Sequence, residues 1–124
     1  MGFNQTHRVE NETGGIGMNN ENKYFSERIR KGFDELDLPE HMYNGVELYV
    51  TQGVMPGGFL TAVLENKLVE SVVKADNHNL KRIREWAAFI YNYLPMTCWG
   101  SETLVRAWSR KRQALQRREE SKDG

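Results

Sequence analysis

The chain has 124 residues, of which 39 % are hydrophobic and 27 % charged, and its 17 basic and 17 acidic side chains balance to zero. That size suits a single domain with one modest core. No run approaches the ~20 apolar residues of a membrane span, and one cysteine, Cys98, excludes an intrachain disulfide.

The opening MGFNQTHRVENETGG has no apolar leader core, so a cytoplasmic protein without a membrane partner is expected. Neutrality hides a segregation of charge. Residues 1–76 hold seven Lys/Arg against twelve Asp/Glu, whereas residues 77–118 hold nine against two, Glu85 and Glu102. Either the halves pair with each other, or the second half offers a positive surface to an anionic partner.

Residues 1–20 are polar and aperiodic, as in NETGGIGMNN, and read as a flexible arm. Residues 21–118 then read as one helical domain, followed by a polar tail over 119–124. The expected fold class is all-α, a compact bundle of four to five helices. A first helix over 21–36 is predicted by Phe25, Ile29, Phe33 and Leu36, spaced four, four and three apart. Gly32 weakens it by up to ~1 kcal/mol relative to Ala. Asp37, Pro39 and Glu40 read as the cap, first turn and capping-box residue of a second helix. That helix buries Met42, Val46 and Tyr49 and stops at Gly53; VELYVT has a second reading as a short strand.

A third helix follows Pro56. Its stripe of Phe59, Leu60, Val63, Leu64, Leu68 and Val72, widened by Ala62, Val69 and Val73, places it at the centre of the bundle. Asp76 caps a fourth, with Leu80, Ile83, Ala87, Ile90 and Leu94 inward and Pro95 ending it. Ser101 caps the last helix, and Glu102 suits its N-terminal dipole. At ~100° per residue, Leu104, Trp108 and Leu115 share one side, while Arg106, Arg110 and Arg117 share the other.

Three residue sets are candidates for a site. The basic helix, with Arg106, Arg110, Lys111, Arg112, Arg117 and Arg118, has the charge to contact nucleic-acid phosphates or an acidic protein. Its bland reading is a solvated face whose stems cover the core edge. Gly57 and Gly58 open a helix whose bare N–H groups suit a small anion or nucleotide, against the plainer reading of close helix packing. No Lys-Ser/Thr follows to make a nucleoside-triphosphate loop, and no βαβ context supports a dinucleotide site. Tyr91, Tyr93 and Trp99, with Tyr49 nearby, form either a structural plug or an aromatic recognition surface.

Asp76, His78 and Cys98 are residue types of a nucleophile–base pair, but Asp76 has a capping role and a lone cysteine in a turn reads as a small buried hydrophobe. His7, His41 and His78 show no ligand spacing. No catalytic residue, metal or cofactor is therefore expected.

Pro56 to Leu68 (PGGFLTAVLENKL), Ala75-Asp76 with Asn79, Tyr91-Asn92 with Pro95, and Cys98 to Ser101 with Trp108 together make a pattern covering about half the chain. It resembles a family of small bacteriophage- and prophage-encoded proteins, departing from it at Asn66-Lys67, where the pattern carries Asn-Asp. The resemblance implies a phage accessory protein in the host cytoplasm. Such proteins bind a host or phage macromolecule, in some cases antagonising a host process or defence. A non-enzymatic protein with a protein partner is expected, with nucleic-acid binding through the basic helix as the alternative and homo-oligomerisation open.

Overall fold

The computed structural model describes residues 18–123, with side chains for residues 20–118. It holds seven α-helices and, among the described residues, no strand. These are α1 (Met18–Leu36), α2 (Tyr43–Gln52), α3 (Gly58–Leu64), α4 (Leu68–Lys74), α5 (Asn77–Lys81), α6 (Ile83–Tyr93) and α7 (Glu102–Asp123). Two 3-10 turns, Glu40–Met42 and Met96–Cys98, complete the path. The all-α expectation holds, and VELYVT is helical. Most of the expected arm, residues 1–17, lies outside the described residues. Residues 18–20 are already helix, and the polar tail is helical as far as Asp123.

Among the described residues seven helices replace four to five, because two expected long helices are each split. Asn66 adopts a left-handed φ of 67°. Its N–H donates to the Val63 carbonyl and the Lys67 N–H to the Ala62 carbonyl. These are the two bonds of a Schellman ending, with Asn in the position glycine usually takes. The helix stops at Leu64, and α4 sets off in a new direction. The second split falls at Arg82, whose guanidinium donates to the Leu36 and Asp37 carbonyls and so caps the end of α1.

Asp37 corrects another expectation. Its φ of 53° makes it the left-handed terminator of α1, with the Leu38 N–H donating to the Phe33 carbonyl at 3.1 Å. It is not a cap for α2, which starts without a side-chain cap at Met42. Glu40 instead accepts two hydrogen bonds from Arg30 at 2.7 and 2.8 Å. Three local signals do act as expected: Gly53 is left-handed, Asp76 accepts from the Asn79 N–H at 2.7 Å, and Ser101 Oγ accepts from the Leu104 N–H at 3.1 Å.

The core is centred on Trp86, fully buried, with Phe33, Phe59 and Phe89 meeting it edge to face at 5.7–5.9 Å. Asn79, also buried, accepts the indole N–H at 3.0 Å, so the large ring is inside without an unpaired donor. Gly32 is what brings α1 against α6, since a Cβ there would sit 2.6 Å from the Phe89 ring. Close approach, not helix weakness, is the meaning of that glycine.

α7 buries Trp108 as expected, but its packed side is turned away from Leu104. Its buried residues are Val105, Trp108, Ser109 and Arg112, and Leu104 is exposed. Most of these polar groups serve the end of α2, whose last carbonyls have no partner within the helix. Trp108 Nε1 donates to Val50, Arg112 Nε to Thr51, and Ser109 Oγ and Gln113 Nε2 both to Gly53. Arg112 also reaches Glu21 at 2.8 Å and Asn22 at 2.6 Å on α1. Three helices meet on this one buried guanidinium, so Arg112 is withdrawn from the basic surface.

Candidate functional site

α4 is amphipathic, and its apolar side faces out. Leu68, Val69 and Val73 are 73–76 % exposed and Val72 is 41 % exposed, whereas Ser71 is buried. At ~100° per residue the four apolar side chains sweep an arc of about 140°. The cause is local. Once Asn66 ends α3, α4 packs mainly against α3 with Ser71 buried, and the valines are left without a neighbour to bury against. These residues were expected at the centre of the bundle; the structure puts them at its surface. Soluble chains seldom expose so many aliphatic side chains together unless something covers them.

Beside this ridge runs a groove of about 510 Å³ between α4 and α6. Leu68 belongs to both. Ile83, Ala87 and Tyr91 line the α6 wall, and Trp99 lies among the lining residues. Tyr91 is exposed and meets the Trp99 ring edge to face at 6.3 Å, while the Trp99 indole N–H is buried without an acceptor among the described residues.

The three aromatics of the expected recognition surface do not form one patch. Tyr91 and Trp99 stay together in the groove. Tyr93, two residues along α6, turns towards α1, where it stacks on Phe89 at 5.9 Å, lies under the Arg28 guanidinium and donates to Glu35. Tyr49 is in the core, its hydroxyl donating to the Cys98 carbonyl at 2.8 Å. Burial raises the pKa of both Tyr49 and Cys98, so neither is a ready nucleophile at neutral pH.

Asp76 pairs with His41 at 3.2 Å and is held below the usual carboxylate range, chiefly by the Asn79 N–H. His78 meets the His41 ring edge to face, but both histidines are exposed and Cys98 is buried, so Asp76, His78 and Cys98 share no site. Among the described residues no group of three His, Cys, Asp or Glu is placed to hold a metal.

Arg106, Arg110 and Arg117 are all exposed on the outer side of α7. Arg106 is held by Glu102 at 2.9 Å, while Arg110 and Arg117 have no acidic partner among the described residues. The segregated charge is thus partly settled inside the chain, through Arg82–Asp37 and Arg112–Glu21, and partly left on α7. Gly57 is the cap, and Gly58 the first residue, of the seven-residue α3. A Cβ at Gly57 would meet nothing, and one at Gly58 only the Lys74 side chain. Close helix packing does not explain this glycine pair.

The sequence pointed to Tyr91 and Trp99 but missed Leu68, Val69, Val72 and Val73. The signal that would have found them is Asn66 read as a helix terminator. No helix among the described residues is long and apolar enough to cross a membrane. Comparison with protein-family models, with curated proteins and with solved structures found no match.

Proposed function

We propose that this chain is a non-enzymatic binding protein, of the phage accessory kind its sequence resembles, and that it docks a protein through α4 and the Tyr91–Trp99 groove. The observation that carries the reading is the inverted amphipathicity of α4, which exposes Leu68, Val69, Val72 and Val73 together. Burying one such side chain is worth about 1.5–3 kcal/mol, so a partner covering four of them has a strong driving force. Tyr91 and Trp99 supply the rigid aromatic contacts that dominate binding surfaces.

The test is a photo-cross-linker installed at Val73 in the full chain and irradiated in bacterial lysate. A discrete cross-linked species is expected, lost when Val72→Lys is added and kept when Arg110→Glu is added. Cross-linking indifferent to Val72→Lys would overturn the reading.

A second reading has its own support in Arg110 and Arg117, exposed on one side of α7 without acidic partners among the described residues. It makes the chain a nucleic-acid-binding protein. Low-salt gel shifts should then show binding that weakens as salt rises and disappears in the Arg110→Glu/Arg117→Glu variant. Binding untouched by those changes would exclude α7 as the contact.

A further inference from the structure

Given the docking role proposed above for this face, the geometry points to a second copy of the chain as its occupant. Three observations converge. First, ridge and groove lie side by side. The outward Val69, Val72 and Val73 form the ridge, and Leu68 is both its edge and part of the lining of the 510 Å³ groove. A two-fold axis between two such faces sets each ridge in the other copy's groove, the self-complementary contact of an isologous dimer.

Second, the charges on α4 and in the groove lining are already spent within the chain. Lys67 pairs with Glu65 at 3.1 Å and lies 3.9 Å from Glu102, and Glu70 pairs with Lys74 at 2.8 Å. Glu102 is in turn held by Arg106. A strongly charged partner finds few unmatched charges here, whereas an uncharged apolar face is matched. The chain's formal net charge of zero adds no long-range repulsion between copies.

Third, a stable interface of about 800 Å² from each partner is built around an apolar centre. Four α4 side chains and Tyr91, each 41–76 % exposed, supply the apolar centre of such a patch.

Sedimentation of the full chain across a concentration series tests this. The expected result is a monomer–dimer equilibrium with a dissociation constant below about 50 µM. Because apolar burial drives it, the constant should shift less than about two-fold between low and high salt. Val72→Lys and Val72→Glu should each weaken it by at least about ten-fold, with circular dichroism unchanged and with melting unchanged at concentrations where the parent is itself monomeric.

A chain that stays monomeric throughout overturns the inference, as does a dimer that survives both Val72 variants. If the chain is monomeric but Val72-dependent cross-linking to another protein persists, the docking role stands and only self-association fails. If the cross-linking also ignores Val72, both fall.

Discussion

Replacing Arg112 by alanine is expected to destabilise the fold by about 3–5 kcal/mol, from the lost packing of a buried side chain and the hydrogen bonds that go with it. For a chain of this size that lowers the melting midpoint by roughly 15 °C. The side chain is 1 % exposed and has three jobs: it pairs with Glu21, bonds Asn22, and satisfies the Thr51 carbonyl at the end of α2. Its guanidinium also lies over the Phe25 and Trp108 rings, at 5.5 and 5.4 Å. Lysine has no planar fork to reach three directions, so Arg112→Lys should recover less than half of the loss. Arg117→Ala, at an exposed position, should stay within about 0.5 kcal/mol of the parent. Urea and thermal unfolding of the three variants measure all of this, and an Arg112→Ala melting midpoint within about 3 °C of the parent would show the junction to be dispensable.

The second large effect is expected at Gly53. Its φ of 77° costs an L-residue about 1–2 kcal/mol. An added Cβ would also lie 2.4 Å from the Ser109 carbonyl oxygen and 3.1 Å from Arg112 Cβ. Backbone cannot swing aside as a side chain can, so α7 must move outward, stretching the Ser109 and Gln113 bonds to the Gly53 carbonyl. Gly53→Ala should therefore cost about 3–4 kcal/mol in all. Gly57→Ala is the control: its φ of −67° and empty surroundings accommodate the methyl, so the change should be neutral or stabilising by up to ~1 kcal/mol. Gly53 and Arg112 serve one junction, and the double variant should lose less than the sum of the two single losses.

Gly53 was legible as a helix stop, but the junction it shares with Arg112 was not. Ser109 and Arg112 are polar, and a search for apolar spacing assigns them to the outside of α7. They are buried because the end of α2 arrives there with unbonded carbonyls, and nothing within α7 announces that arrival. Leu104 is the converse, an apolar residue at good spacing that no neighbouring helix covers. By contrast, Phe25, Ile29 and Phe33 on α1 were legible, since a long helix with one strong stripe has only one way to bury it.

Of the candidate site, Tyr91 and Trp99 were legible as aromatic residues near a turn. Tyr93 was grouped with them although residues two apart on a helix point about 200° apart, a separation visible in the sequence itself. The α4 ridge was misread for a different reason. One left-handed Asn66 separates a buried helix from an exposed one, and Asn was not weighed as a terminator although it tolerates that conformation better than most residues.

The amino-acid sequence by itself determined the helical class, the termini marked by Gly53, Asp76, Pro95 and Ser101, and the core stripe of α1. Each of these depends on interactions reaching no further than about one helical turn. Only the tertiary structure decided that Leu68, Val69, Val72 and Val73 are surface while Arg112 is interior. Helical periodicity says which residues share a side; the neighbouring helices decide whether that side meets protein or water.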